Sequence, residues 1–434
     1  MRTALDLSEK QALPLDLKIA LTQQRIREWV REFGVEHVVC SFSGGKDSTV
    51  LLHLVRELYP DVRAVFSNTG LEYPEIQRFV KSFDNVDIVT PKMRFNEVIS
   101  TYGYPLISKE VAEAIYYARR IRSQDVNVER ERESSQTSTA ANGTQWTSPI
   151  PSSQTDWRRI ELNGERFPSK TRAEERAIRI SGSETFWKRT EFAGKYPGER
   201  NTAGVEGQTH SQFNKEKWLP LARDVPVAIS HLCCHKTKKQ PLHAYQSKNG
   251  FMPFLAMLAE ESRVRKQAWV KHGCNAFDSK HPTSNPLSFW TEQDILRYIV
   301  DNDIEIASVY GNIVAVDSYG NEYDPHGTLI DCKLKCTGCQ RTGCIYCALA
   351  LHLEKGMTRF QSLAITHPKQ YEYSIGGGQW VDNPHYDPTA PKMDGDWQNW
   401  NPKKIWVPSK KGLGMGKVFD MCNEIYGSSF LRYK

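Results

Sequence analysis

The chain has 434 residues, 39% hydrophobic and 25% charged, with a formal net charge of +6. This is the balance of a globular protein with room for two or three domains. The mild positive charge permits contact with nucleic acid without demanding it, and the lack of any apolar run of ~18 residues excludes a helical membrane span.

The N-terminal stretch MRTALDLSEKQALPLDLKIAL is broken by charges and prolines. That argues against a signal peptide and for a cytoplasmic protein. Residues 17–33 have helical apolar spacing. Alternation follows: strand 37–42, helix 46–58, strand 62–67, helix 74–83, strand 86–90, helix 94–101 and helix 109–122. Strands alternating with helices predict a parallel sheet with crossover helices, whose ligands bind beyond the carboxyl ends of the strands. Residues 123–215 are polar and Ser/Thr-rich at first, and read as a partly flexible insertion. VPVAIS (225–230) reads as a strand. In 286–302, Thr291 is a candidate N-cap with Asp294 three residues later, and Ile295, Leu296, Tyr298 and Ile299 supply the apolar face. A cysteine-rich segment (311–360) and a basic, aromatic tail (361–434) follow.

SFSGGKDST (41–49) stands where β-strand passes into helix. Adjacent glycines let backbone N–H groups approach an anion, and the helix that follows adds the positive end of its dipole. Lys46 supplies a full charge, and Ser43, Ser48 and Thr49 supply hydroxyls. It is not a Walker loop: with the lysine at Lys46, that motif needs glycine at Cys40 and a hydroxyl at Asp47. An aspartate in an anion cradle makes sense if it helps hold Mg²⁺ on a leaving phosphate group. The second loop, Ser67-Asn68-Thr69-Gly70, ends the next strand.

SGGKDS resembles the pyrophosphate loop of the PP-loop ATP pyrophosphatases. The resemblance implies an adenine-nucleotide alpha hydrolase-like (HUP, Rossmann-like) α/β domain. It further implies splitting of ATP between the α- and β-phosphates, with adenylylation of an acceptor. In that family the second loop, here Asn68, Thr69 and Gly70, lies by the nucleotide. Lys46, Asp47 and Ser48 are the candidate catalytic residues, and Ser43, Gly44, Gly45 and Thr49 complete the cradle.

The chain carries ten cysteines, five of them between Cys332 and Cys347. In a cytosolic chain this clustering favours metal over disulfides. Cys233-Cys234 followed far along by Cys344-Ile345-Tyr346-Cys347 resembles the [4Fe–4S] pattern of adenylylsulfate reductases. CCHKTKKQPL, AEESRVR (259–265) and PLSFWTEQDILRYIVDNDI resemble neighbouring segments of the phosphoadenosine phosphosulfate reductase family. Three ligand sets stay open: Cys233, Cys234, Cys344 and Cys347; the same set with Cys339 replacing one of the first pair; or a local Zn²⁺ site on Cys332, Cys336, Cys339 and Cys344 or Cys347. Arg263 and Arg265 are candidate anion clamps.

The expected architecture is therefore residues 1–122 and 216–310 as one nucleotide-binding domain, interrupted at 123–215 and followed by a cysteine-bearing, metal-binding region. The expected activity is ATP-dependent adenylylation of an acceptor, such as tRNA or DNA, followed by thiolation with a sulfur-donor protein. Sulfonucleotide reductases usually have a degraded phosphate loop and a Glu-Cys-Gly-type tail; here SGGKDS is intact, and Cys422 in MCNEIYG reads as a structural cysteine. A reductase acting on an adenylyl sulfonucleotide and a non-catalytic nucleotide-sensing or nucleic-acid-binding protein are the alternatives. Cys40 and Cys274 read as core residues. The basic end of helix 109–122, and Lys403–Lys417 with Trp397, Trp400 and Trp406, are candidate nucleic-acid contacts; His352 and Glu354 are candidates for groups supporting the metal.

Overall fold

The computed structural model describes residues 3–119, 137–139, 145–147, 159–162, 165–168, 215–327, 331–389 and 400–434. They divide into two compact units, Met1–Phe95 with Cys234–Ile345 and Asn96–Cys233 with Tyr346–Lys434. The expected flexible insertion lies almost wholly outside the described residues.

The first unit is an α/β layer structure around a six-stranded sheet. The strand order is Asn275–Ala276, Thr283–Ser284, Met252–Phe254, β1 (Val38–Ser41), β2 (Arg63–Ser67) and β3 (Val86–Val89). All pairs are parallel except the edge pair Asn275–Ala276 with Thr283–Ser284. Val38, Val39 and Cys40 of β1 are all buried, as befits a central strand covered on both faces. Helices α1 (Ala4–Gln11), α2 (Leu15–Phe33), α3 (Lys46–Leu58) and α4 (Pro74–Lys81) precede or connect the strands. Sequence periodicity located all but α1, whose polar eight residues show little apolar stripe; Thr3 and Asp6 start it with a capping box. The helix Glu292–Asp301 begins as read, with Thr291 and Asp294 capping each other and Ile295, Leu296, Tyr298 and Ile299 buried. Cys40 and Cys274 are buried in this core. The cysteine-rich segment contributes the strand Lys333–Cys336, paired antiparallel to Ile313–Val316.

In the second unit two readings change. The helix expected over 109–122 spans Lys109–Ala118, with Arg119 as its C-cap. VPVAIS forms no strand, only an isolated bridge between Tyr104 and Ile229. One residue explains the second. The Arg119 guanidinium donates to the carbonyls of Leu221, Ala222, Val225 and Val227 at 2.5–3.2 Å and lies 4.3 Å from the Trp400 ring. Carbonyls that satisfy a buried guanidinium are not available to a sheet ladder. Burial lowers the Arg119 pKa to about 9, against the opposing pull of Cys422 and Asp224. Arg119 therefore faces inward and offers nothing to a nucleic acid.

Among the described residues, no helix is long and apolar enough to cross a membrane.

Candidate functional site in the first unit

The loop between β1 and α3 is built so that two glycines do different jobs. Gly44 has φ +71°, and a Cβ there would lie 2.8 Å from the γ-methyl groups of Ile76 and Val80 on α4. Gly45 is the N-cap of α3 in ordinary extended geometry. A Cβ on Gly45 would sit 3.3 Å from the Ser43 and Tyr310 hydroxyls and 3.4 Å from that of Thr342. Gly44 thus answers to backbone and core, Gly45 to close approach.

Most of the loop hydroxyls are engaged inside the loop. The Ser43 amide donates to Ser48 Oγ at 3.1 Å, and the Ser48 hydroxyl donates to the Gly45 carbonyl at 2.9 Å. Thr49 Oγ1 donates to the same carbonyl at 3.0 Å. Ser43 Oγ lies 3.0 Å from Ser48 Oγ on an exposed residue, and is the loop hydroxyl best placed for a ligand.

Lys46 is buried, and its ammonium donates to Glu292 Oε1 at 2.7 Å and to the Gln340 carbonyl at 2.8 Å. Its amide, at the positive end of α3, donates to the Tyr310 hydroxyl at 3.2 Å, which meets Thr342 Oγ1 at 2.6 Å. Burial pushes the Tyr310 phenol up to about 12, so it keeps its proton at neutral pH. A neutral hydroxyl therefore stands on a helix N-terminal amide, a position that suits an anionic oxygen. Burial, reinforced by Glu292, raises the Asp47 pKa, while Lys46, Arg341 and Arg265 pull the other way. A carboxylate whose charge is opposed by burial is a donor that gains from a divalent cation, so Asp47 fits a Mg²⁺ ligand.

The loop after β2 is organised by Glu72, a buried carboxylate that sequence inspection passed over. It accepts from the Thr69 amide at 3.1 Å, the Thr69 hydroxyl at 2.7 Å and the Leu71 amide at 3.3 Å. Asn68 Oδ1 accepts from the Gly70 amide at 3.2 Å. Gly70 has φ +72° and nothing within 4 Å of a Cβ, so conformation alone requires glycine there.

A cleft opens beyond the ends of β1 and β2, lined by Ser41, Ser43, Ser67, Glu72, Lys238 and Thr342 among others. Ser41 Oγ is buried on this wall and has no hydrogen-bond partner among the described residues. Buried hydroxyls are nearly always paired, so this one is a natural contact for a polar ligand.

Lys238 brings two of the expected thiols to the cleft. Burial disfavours its charge, but Cys344, Glu72 and Cys234, with a hydrogen bond to Cys344, outweigh burial and hold its pKa above the ordinary value. Cys339 instead donates to the Arg341 carbonyl at 2.9 Å. Cys233 and Cys347 belong to the other unit. Among the described residues, no three His, Cys, Asp or Glu side chains are grouped to hold a metal ion. Arg265 pairs with Glu261 on the first turn of the helix Arg263–His272, and Arg263 is exposed there.

Tyr310, Thr342, Gln340, Glu292 and Lys238 were missed as site residues, though Lys238 lies in CCHKTKKQPL and Thr342 in RTGC. In the second unit, His352 packs edge-on against Trp218 at 5.4 Å and Glu354 pairs with Arg359, so both have structural partners. Trp400 packs on Arg119, and the Trp406 indole donates to the Gly414 carbonyl at 2.9 Å. Trp397 lies outside the described residues.

Residues 37–114 match the phosphoadenosine phosphosulfate reductase domain. A phosphoadenosine 5'-phosphosulfate reductase of Xylella fastidiosa (strain M23) is 30% identical over 90 residues, covering 21% of this chain and 35% of the relative. The enzyme of that name from Xanthomonas axonopodis pv. citri (strain 306) is 31% identical over 103 residues, 24% of this chain and 39% of its own. That of Xanthomonas oryzae pv. oryzae (strain PXO99A) is 30% identical over 112 residues, 26% and 42% respectively. The chain thus matches well under half the length of these curated relatives.

Proposed function

The chain belongs to the phosphoadenosine phosphosulfate reductase family of the PP-loop superfamily, and we propose that it acts as an ATP pyrophosphatase that adenylylates an acceptor. The observation that carries this is the intact SGGKDS loop, with Gly45 open to close approach and the amide of Lys46 standing on an exchangeable hydroxyl. In this reading the adenosine half of ATP occupies the cleft beside Ser41, Ser67 and Lys238. Phosphate oxygens replace the Tyr310 hydroxyl at the Lys46 amide, and the Lys46 ammonium exchanges Glu292 for phosphate. Asp47 is the residue that would hold Mg²⁺, and the ion would supply charge neutralisation for the leaving pyrophosphate. Amides and lysine fixed in place before the reaction stabilise that charge without reorganising.

In this reading the acceptor is a nucleic-acid base or phosphate, as in tRNA or DNA, and a sulfur donor then thiolates the adenylylated acceptor. Iron, labile sulfide and zinc analysis of anaerobically purified protein reads the [4Fe–4S] and Zn²⁺ expectations directly.

The second reading, a reductase releasing sulfite from an adenylyl sulfonucleotide, is favoured by the names of the relatives. Burial of Cys422 speaks against that residue as its nucleophile: burial pushes the thiol up to about 12. The test is pyrophosphate release from ATP, with Asp47→Ala as control and a sulfonucleotide in parallel. Pyrophosphate that disappears in the variant supports the proposal. Sulfite without pyrophosphate transfers the assignment to the reductase. Tight nucleotide binding with neither product transfers it to a sensor.

A further inference from the structure

The second unit carries two tryptophans in one small ladder, and only one of them is packed away. Strands Gln379–Asp382 and Lys404–Val407 pair antiparallel, with Trp380 opposite Trp406 and Asp382 opposite Lys404. Residues opposite one another in a ladder share a face, so the two indoles stand on the same side. Their rings meet at a steep angle, centroids 5.4 Å apart. Trp406 is locked in place: its indole N–H donates to the Gly414 carbonyl at 2.9 Å, and a Cβ on Gly414 would lie 2.6 Å from that nitrogen. Trp380 is 45% exposed. An anchored neighbour thus steadies the Trp380 ring while much of it stays open to solvent.

Two lysines are pinned beside it. Ser409 and Gly412 close a two-residue turn, the Ser409 amide donating to the Gly412 carbonyl at 2.9 Å. Lys410 and Lys411 form the tip of this turn, and both are exposed. Ser409 Oγ accepts from the Lys411 amide and from the Gly378 amide, each at 3.1 Å. Gly378 stands two residues before Trp380, so one hydroxyl ties the lysine turn to the strand that carries the open indole. The acid of the ladder, Asp382, faces Lys404 at the end away from the turn. An open ring beside cations set by backbone suits a strand with unpaired bases: the ring stacks on a base, and the ammonium groups meet the neighbouring phosphates.

We propose that Trp380, Lys410 and Lys411 form a docking surface for single-stranded nucleic acid. This rests on the reading of the acceptor as nucleic acid and narrows it to a strand, loop or end whose bases are unpaired. The bases of a duplex are already stacked and paired, so a duplex offers this surface only its phosphates.

The test is fluorescence anisotropy of labelled mixed-sequence single-stranded DNA and RNA, with the matching DNA duplex in parallel. The full chain is titrated into each at several salt concentrations, without ATP. Single strands should bind more tightly than the duplex. Trp380→Ala should weaken single strands about fivefold or more, the loss of one stacked base, and barely alter the duplex. Trp380→Phe, which keeps a ring, should recover most of that loss. Replacing Lys410 and Lys411 together by Gln should make the slope of log affinity against log salt shallower by about 1.4, roughly 0.7 for each lost phosphate contact. A purely structural role for these residues moves neither the strand preference nor the salt slope, and thermal melts establish that the variants are folded. Single-strand affinity unchanged in Trp380→Ala overturns the surface. So does an unchanged salt slope without the two lysines, or a parent protein that binds single strands no better than duplex. With no ATP present, any of these results leaves the pyrophosphatase reading standing. A chain that releases no pyrophosphate yet shows the Trp380 and lysine dependence keeps the surface and loses that reading.

Discussion

Replacing each glycine of the phosphate loop by alanine should separate folding from ligand approach. At Gly44 the backbone is left-handed, φ +71°, which costs a residue with a Cβ about 1–2 kcal/mol. The new methyl also meets the Ile76 and Val80 methyl groups at 2.8 Å. Both side chains are buried, so they yield only by disturbing the packing of α4, an overpacking cost of about 1–3 kcal/mol. Gly44→Ala should therefore lose about 2–5 kcal/mol. At Gly45 φ is −79° and ψ 154°, a conformation open to any residue. Its Cβ would meet only hydroxyls, none closer than 3.3 Å. Gly45→Ala should cost less than about 1 kcal/mol of stability, a surface-scale effect, yet weaken ATP binding by filling the space phosphate must enter. Urea denaturation of both variants, with calorimetric titration of ATP into Gly45→Ala, reads both arms. A Gly44→Ala protein within about 0.5 kcal/mol of the parent, or a Gly45→Ala protein that binds ATP undiminished, would refute the division of labour.

Asp47 predicts two pH effects. Burial and Glu292 raise its folded pKa, so ionising it opposes folding: its stabilising contribution is full below the unfolded pKa and is lost as pH rises through the folded one. Asp47→Asn should accordingly melt higher than the parent protein at pH 7, with the gap closing near pH 3; equal gaps at both would remove Asp47 as the cause. Since the proposed chemistry needs the carboxylate, pyrophosphate release should fall as acid protonates it. Cys422→Ser tests the runner-up: the residue is fully buried, so the change should lower stability by about 1–3 kcal/mol and leave turnover of folded protein intact. Loss of sulfite release in a folded Cys422→Ser protein would instead make that thiol the reductase nucleophile.

What could be read from sequence follows the range of the forces involved. The alternation from Val38 to Val89, the cap at Thr291 and the glycine turn are local, set by side-chain period and by the demands of nearby backbone. The failed strand 225–230 was decided by Arg119, more than a hundred residues away in the chain, and no period in VPVAIS encodes that. Glu72 escaped notice for a related reason. A lone glutamate in a loop reads as solvated, and only the fold shows three donors converging on it. Glu292 sat inside a recognisable capping motif, which gave it a sufficient local explanation and concealed its pairing with Lys46.

The segment from Cys336 to Cys344 links the parts that the sequence presented as separate. Its cysteines suggested metal, yet its polar residues contact the phosphate loop: the Gln340 carbonyl holds the Lys46 ammonium and Thr342 holds Tyr310 on the Lys46 amide. Two residues beyond Thr342, Cys344 takes a hydrogen bond from Lys238. A phosphate oxygen arriving at the Lys46 amide must displace Tyr310, and with it the anchor of Thr342. The peptide that shifts is the one that positions Cys344. Occupancy of the nucleotide loop and the surroundings of this thiol are thus joined through two peptide bonds.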